Sequence, residues 1–485
     1  MGNTRERPYL YYDAAISICS TCLRRVDAKI VFQDGCVWML KRCPEHSRER
    51  VLIADDIDYY RQAREVFIKR PQQVCHPNTQ TRYGCPYDCG ICPDHEQHGC
   101  TLLIEITDSC NLRCPTCYAN SAPERQTHRS LAQIEAMLDV AVRNETQPSI
   151  VQISGGEPTV HPDFFTVLDL ARQRPIGHLM LNTNGVRIAN EAGFAERLAA
   201  YMPEFEIYLQ FDSFRPDALK LLRGVDLVAT HERALARLNA LNIPTTLVCT
   251  VRRDVNDTEL GAIVDFALTQ PCVRGVSFQP VQAAGRLERY ADGYDPARDR
   301  LTLTEVRRKI LRQTSLFEPE DIVPVPCHAD NIAMAYAIRT GQETLPLTGM
   351  IPPETLIQHA GNTIAYEGES TLHAALFELF STHHSAASQV RALDQFLARA
   401  DAGFDGLTYD KLFRVLIVEF MDAFAFDLRS IRKSCVHIVH PDAARVIPFD
   451  TYNLFYRDDL EQRVLAPIRA ERENVKLSGS IATAQ

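Results

Sequence analysis

Residues 110–118 read Cys110-Asn111-Leu112-Arg113-Cys114-Pro115-Thr116-Cys117-Tyr118, and the spacing Cys-x3-Cys-x2-Cys within them decides how the chain is read. Three thiolates in one tight loop hold three irons of a cubane cluster and leave the fourth iron open. An open metal position is where chemistry on a bound molecule takes place, whereas a fully ligated cluster stores or carries electrons. The same spacing stands just upstream in Cys85-x3-Cys89-x2-Cys92, with another thiol, Cys100, close behind it. After Cys110, Cys114 and Cys117 there is no further cysteine until Cys249. One closed and one open cluster are therefore expected side by side.

Outward from that loop, short apolar runs alternate with amphipathic stretches. The expected strands are Leu102–Ile106, Ile150–Ser154, His178–Asn182, Glu206–Phe211, Thr245–Val251 and Val276–Pro280. Leu131–Arg143, Phe164–Arg172 and Glu232–Leu241 carry helical periodicity between them. Six such units imply an α/β fold, a parallel sheet with helices outside, curved or doubly wound. In either topology the site lies at the carboxyl ends of the strands. The cysteine loop follows the first strand and Gly155-Gly156-Glu157-Pro158 the second. Asn182-Thr183-Asn184-Gly185 ends the third, and Asp212-Ser213 follows the fourth.

With those motifs in those places, residues 102–286 resemble the radical S-adenosylmethionine (SAM) superfamily. The resemblance implies a partial (β/α)6 barrel in which Cys110, Cys114 and Cys117 bind a [4Fe-4S] cluster whose open iron is chelated by SAM. It makes these three cysteines the catalytic centre, where one electron cleaves SAM to a 5′-deoxyadenosyl radical that removes hydrogen from inert C–H bonds. Gly155 and Gly156 would then let the backbone approach the SAM amino group, with Glu157 as its negative partner. Tyr118 would pack near adenine, whose edge is read along Val276–Phe278, including Phe278. Asn182, Thr183 or Asn184 would hold the ribose, and Asp212 would point into the barrel with Gln210. A reducing protein such as ferredoxin or flavodoxin is implied as electron donor.

Residues 1–53 hold Cys19-x2-Cys22 and Cys43-x2-His46 on either side of an expected hairpin turning at Asp34-Gly35. Two ligand pairs on facing turns form a zinc-ribbon or rubredoxin-like knuckle for one zinc or iron ion. Cys36 falls in the second strand and reads as core. Residues 54–100 combine a helix with the Cys85, Cys89, Cys92 and Cys100 loop, expected to close an auxiliary [4Fe-4S] cluster; Cys75 is the alternative fourth ligand. The core barrel is assigned to 101–290. A mainly helical, substrate-covering region follows at 291–475, with a buried helix over Asp410–Phe426, a strand-turn-strand at Ser434–Tyr456 and a disordered tail at 476–485. Cys249 and Cys272 read as core thiols. Cys327 and Cys435 stand among polar residues with His328, His437 and His440, and a further C-terminal cluster is not expected from so few donors.

The whole layout is similar to the group containing archaeal tetraether lipid synthase and 7,8-dihydro-6-hydroxymethylpterin dimethyltransferases. That resemblance implies either carbon–carbon coupling of lipid chains, the leading expectation, or methylation of a dihydropterin or other small molecule. A nonenzymatic iron–sulfur carrier or redox sensor is the competing class, and it has no need of the Gly155–Pro158 segment or six βα units.

Of 485 residues, 45% are hydrophobic and 24% charged, as in an ordinary globular protein of several domains. A net charge of −10 argues against nucleic acid as a partner. No secretory signal or spanning segment is visible, so the 16 cysteines read as metal ligands and thiols in a reducing cytoplasm. Work at a membrane surface, as a peripheral protein on a lipid substrate, is compatible with this composition.

Overall fold

The computed structural model describes residues 7–71, 74, 76–339, 343–351, 353–359 and 409–482. A four-stranded antiparallel meander comes first: β1 (Leu10–Ile18), β2 (Arg25–Gln33), β3 (Cys36–Cys43) and β4 (Ser47–Ala54). Asp34 and Gly35, both at positive φ, make the two-residue turn between β2 and β3. Helix α1 (Ile57–Glu65) follows, capped by the Asp56 carboxylate, which accepts the Tyr59 N–H at 2.9 Å.

The expected βα alternation is present over residues 101–280. It runs through β5 (Thr101–Glu105), the two-residue β6 (Thr116–Cys117), β7 (Ile150–Ser154), β8 (His178–Thr183), β9 (Phe205–Gln210), β10 (Thr245–Val251) and β11 (Val273–Pro280). The intervening helices are α2 (Leu131–Glu145), α3 (Phe164–Arg172), α4 (Val186–Asn190), α5 (Phe194–Ala199), α6 (Pro216–Arg223), α7 (Val228–Ala240) and α8 (Leu260–Thr269). Strands β5, β7, β8, β9, β10 and β11 pair in parallel in that order. Their outward side chains, among them Leu102, Ile104, Val151, Leu181, Ile207 and Leu247, pack against Ile134, Leu138, Val167, Leu235 and Val264 of the helices in one core. Each such fully buried side chain contributes about 1.5–3 kcal/mol.

The remaining strands are β12 (Arg286–Leu287), β13 (Val323–Pro324), β14 (Ile332–Arg339), β15 (Thr344–Pro346), β16 (Leu412–Val418), β17 (Val436–Val439) and β18 (Val446–Pro448). Strand β12 pairs with β6, and all the others extend the main sheet to 12 strands. The core sheet gains β16 in parallel beside β11, and β17 in parallel beside β5. Among the described residues the C-terminal region thus adds strands to the core sheet beside its helices. Within Asp410–Phe426 the expected buried helix is replaced by β16, whose seven residues are all buried. A short apolar run has the same composition in a buried helix and in a strand buried on both faces, and here pairing with β11 and β14 decides. The expected strand-turn-strand is found as β17 and β18. A helix over Ala466–Ala482 occupies most of the segment expected to be a disordered tail. Among the described residues no helix is long and apolar enough to cross a membrane.

The sheet curls strongly. Val436 of β17 joins the same apolar cluster and cavity wall as Leu416 and Val418 of β16, seven strand positions away, and Ile332 of β14, eight away. A flat sheet would hold Val436 and Ile332 roughly 38 Å apart at about 4.8 Å per strand. The strand order itself remains open, with no pairing between β13 and β18.

Candidate active site and metal centres

Inside the curl lies a cavity of about 210 Å³. Cys110, Cys114 and Cys117 line it from the loop after β5, and no other cysteine reaches it among the described residues. Pairing of β12 with β6 holds this loop, with Arg286 Nε donating to the Cys114 carbonyl at 2.8 Å. Burial pushes the Cys110 thiol up, aided by the nearby Glu157 carboxylate, and burial likewise raises Cys114. Thiolates here therefore need positive charge, which a bound metal supplies. Three soft donors converging on a cavity without a fourth thiol fit a cluster with an open iron.

The glycines at the end of β7 have a structural reason visible in the fold. A Cβ on Gly155, whose φ is 141°, would stand 2.4 Å from the Thr107 carbonyl oxygen, and one on Gly156 2.2 Å from that of Ser109. The Gly156 and Glu157 N–H groups donate to those same carbonyls at 2.8 and 2.9 Å. Both glycines thus let the β7 end close onto the segment that enters the cysteine loop. Glu157 is buried, and burial raises its carboxyl above the usual range. Its Oε1 accepts from Thr159 Oγ1 at 2.5 Å and Thr183 Oγ1 at 2.8 Å, and its Oε2 from the Asn184 N–H at 2.8 Å. The carboxylate fastens the β8 rim to the β7 rim at the edge of the cavity.

Asn182 and Asn184 line the cavity beside Gln152, Gln210 and Gln279. Asn182 Nδ2 donates to Ser154 Oγ at 3.2 Å, and Asn184 Nδ2 to Asn111 Oδ1 at 2.6 Å, across to the cysteine loop. Tyr118 also lines it, its ring edge-on to Phe449 at 5.0 Å between centroids. Two expected cofactor contacts stand elsewhere. Phe278 alternates with Gln279, so its side chain joins the helix-facing core. Asp212, at φ 64°, leaves the strand and turns into a buried ion pair with Arg223 at 2.6 Å, also accepting the Thr250 N–H at 2.8 Å. Sequence reasoning missed Arg223, which lines the cavity and whose positive charge opposes the effect of burial on the Cys114 thiol.

Among the described residues, two groups gather three or more ligand atoms within 4.8 Å of one another, and neither includes the cavity cysteines. One is Cys19, Cys22, Cys43 and His46, as expected. Its Cys22–Cys43 sulfurs are 3.8 Å apart and Cys19 Sγ is 3.7 Å from His46 Nδ1. Ligands at zinc–sulfur distance on a tetrahedron lie about 3.8 Å apart. The second group was not expected: Cys100, Cys327 and Cys435, all buried, with 3.6 Å between the last two sulfurs. Cys100 therefore meets the C-terminal thiols, where it was expected to close the Cys85–Cys92 loop. The cause is the pairing of β5 with β17. Thr101 stands opposite Val436, and its N–H donates to the Cys435 carbonyl at 3.1 Å, so the residues just before both strands meet. Cys327 and Cys435 hold the Cys100 thiol well below the usual thiol range, and His98 Nε2 lies 3.7 Å from its sulfur. Cys75 lies outside the described residues.

Cys85, Cys89 and Cys92 form a separate buried or half-buried loop. Cys89 holds the Cys85 thiol below the usual range, Cys89 Sγ is 2.9 Å from Thr451 Oγ1, and the Cys89 N–H donates to Tyr456 Oη at 2.7 Å. Cys249 and Cys272 are core thiols, as expected.

Residues 104–267 match the radical SAM superfamily, and residues 11–55 match the HMPTM N-terminal zinc ribbon domain. The 7,8-dihydro-6-hydroxymethylpterin dimethyltransferase of Methanocaldococcus jannaschii is 28% identical, over 96% of this chain and 98% of its own. The mycofactocin maturase of Mycobacterium ulcerans is 33% identical over 34% of this chain and 42% of its own. The GTP 3′,8-cyclase of Syntrophomonas wolfei is 30% identical over 39% and 57%. The cavity thiols and the matched residues agree: 104–267 are a radical SAM domain, and the chain is a radical SAM enzyme.

Proposed function

We propose that this enzyme methylates a dihydropterin or a closely related small heterocycle. The observation that carries this reading is the likeness to the M. jannaschii dimethyltransferase, which runs through nearly the whole of both chains, the ribbon and the C-terminal strands included. The polar side of the cavity supports it. Gln152, Asn182, Tyr208, Gln210 and Gln279 present amide and hydroxyl groups suited to the donor and acceptor edges of a pterin. In this reading Cys110, Cys114 and Cys117 hold the [4Fe-4S] cluster, and Tyr118, Gly155, Gly156, Glu157, Asn182 and Asn184 border SAM. Cluster and SAM, when bound, would supply the one-electron cleavage that makes a hydrogen-abstracting radical, and a second SAM would give the methyl group and leave as S-adenosylhomocysteine, with dithionite supplying both electrons. The chain's own part is to orient the substrate by its amides and to exclude water with Leu103, Ile332, Phe420 and Phe449. Cys19, Cys22, Cys43 and His46 hold zinc or iron. Cys85, Cys89 and Cys92, and separately Cys100, Cys327 and Cys435, hold auxiliary metal.

Coupling of lipid chains is the second reading, favoured by the apolar end of the same cavity, where Ile332, Leu416, Val418, Phe420 and Val436 meet. Anaerobic reaction of the reconstituted enzyme with SAM, dithionite and 7,8-dihydro-6-hydroxymethylpterin separates the two. A pterin one or two methyl groups heavier, absent with Cys114→Ala, is the expected product. No methylated pterin, together with joined lipid chains two hydrogens lighter than their sum in expressing cells, would replace the first reading with the second.

A further inference from the structure

The buried thiols of Cys100, Cys327 and Cys435 converge with an imidazole beside them. His98 brings Nε2 to 3.7 Å from the Cys100 sulfur and Nδ1 to 3.5 Å from Glu145 Oε2, at the end of α2. A histidine that ligates through one ring nitrogen commonly gives the other to a carboxylate, which fixes the ring and its tautomer. Glu145 is itself tied to this turn, since its Oε1 accepts the Gly99 N–H at 2.9 Å. Three more histidines stand nearby and face other partners. His95 meets the Ser434 carbonyl at 2.9 Å, His328 the Ser430 hydroxyl at 3.3 Å, and His437 meets His95 at 3.2 Å.

Distances decide what such a set can hold. Cys327 and Cys435 are 3.6 Å apart at sulfur, and Cys100 and His98 are separated by 3.7 Å. In the ribbon the matching separations are 3.8 Å for Cys22–Cys43 and 3.7 Å for Cys19–His46. Both sets have the size of a tetrahedron around one ion, with about 3.8 Å between ligands. The thiolates of a cubane each stand on a different iron and so lie further apart. Accordingly, Cys110, Cys114 and Cys117 do not gather within the 4.8 Å that encloses Cys100, Cys327 and Cys435.

The position of the set gives an ion a task. Cys327 stands between β13 and β14 at one end of the strand order. Cys435 directly precedes β17 near the other end, beside Cys100 before β5. Among the described residues no strand pairing joins those two ends. Val436 and Ile332, which follow Cys435 and Cys327 on β17 and β14, line the cavity. An ion ligated from both ends therefore holds the apolar wall of the cavity together.

We infer that His98, Cys100, Cys327 and Cys435 bind one tetrahedral divalent ion, zinc or iron(II), that staples the two ends of the curled sheet, with Glu145 positioning the His98 ring. The inference deepens the reading that these three thiols hold metal, and it rests on that reading. Binding releases the thiol protons and changes no oxidation state.

The test counts metal and acid-labile sulfide in the full-length enzyme purified anaerobically. Cys435→Ser should lose about one metal ion per chain and no sulfide. A loss of about four irons with their sulfides would overturn the single ion in favour of a cubane. No loss of either would overturn the reading of these thiols as metal ligands, and the proposal with it. If Cys435→Ser does not fold, native mass spectrometry of the wild type decides. A single ion besides the ribbon's is expected there, and its absence overturns the proposal. His98→Phe should release this ion to EDTA at least about ten-fold faster than wild type, and His98→Cys should restore slow release. Glu145→Gln, which keeps an acceptor for the Gly99 N–H, should also speed release about ten-fold with the ion count unchanged. Release from His98→Phe at the wild-type rate would remove His98 as a ligand and leave the thiol reading in place. Amide exchange in β14 and β17 should quicken about ten-fold once the ion has left His98→Phe, and unchanged exchange would overturn the staple.

Discussion

Cys85–Cys92 and Cys110–Cys117 have one spacing and two surroundings. The second loop borders the cavity with all three cysteines, next to the glycines and amides of the strand ends. The first is closed in by the C-terminal segment, with Thr451 on the Cys89 sulfur, Tyr456 on its backbone and Tyr87 buried against Phe455. Cysteine spacing selects the kind of metal group, but access decides what that group does. A centre reached only through packed side chains exchanges electrons, whereas one that opens on a cavity can also bind a reactant.

The largest expected effect is the one that would break this comparison. Cys114→Ala should end 5′-deoxyadenosine formation, a loss of at least about 1,000-fold, while Cys89→Ala should remove roughly one cubane's worth of iron without ending SAM cleavage outright. Turnover by Cys114→Ala, or unchanged iron in Cys89→Ala, would show that the two loops have been given the wrong roles.

Next is the tie between the loops. Arg457, adjacent to Tyr456, makes a buried two-pronged ion pair with Glu105 of β5 at 2.8 and 3.0 Å. Arg457→Met strands that carboxylate and should cost about 3–5 kcal/mol in urea unfolding. A loss under about 1 kcal/mol would mean the loops are not joined this way.

Asp450 sharpens the comparison through pH. It sits between Phe449 of the cavity wall and Thr451, which touches Cys89 of the auxiliary loop, and burial raises its carboxyl to about 7 from 3.8. A raised pKa means the folded state binds more protons between those values. Its stabilising contribution is therefore present below about pH 4 and is lost as pH rises towards 7. Asp450→Asn should flatten that decline, becoming more stable relative to wild type from pH 5 to 7.5, on the order of 1–3 kcal/mol. A constant difference between the two across that range would remove Asp450 as the titrating group.

The smallest effect concerns the auxiliary loop alone. Thr451→Val removes the hydroxyl beside Cys89 and should cost about 1 kcal/mol while changing the auxiliary centre's EPR signal and leaving SAM-dependent signals in place. Changes confined to the SAM-dependent signals would reverse the assignment.

Much of this was legible in the chain. The six parallel strands were readable because each apolar run is short, bounded by polar turns and separated from the next by a helical period. The ribbon was readable because both ligand pairs are local and the Asp34-Gly35 turn brings them together. Local signals misled where composition is ambiguous or contacts are remote. Leu412–Val418 has no polar alternation to mark it as strand, because both its faces are covered. Asp212 looked like a strand-end residue aimed at the cavity until Arg223, one helix later, claimed it. Gly155 and Gly156 were singled out for an approach to SAM, and the approach that the structure shows to require glycine there is to Thr107 and Ser109.

The sequence by itself therefore determined the open cysteine loop, the rim motifs and the parallel core, since thiol spacing and hydrophobic period act over a few residues. Only the tertiary structure decided that Cys100 meets Cys327 and Cys435, that the C-terminal strands complete the curl, and that one wall of the cavity is apolar. Those contacts depend on β17 pairing with β5 and β16 with β11, between segments far apart along the chain. Such register is chosen by burial of the whole sheet, and no local pattern records it.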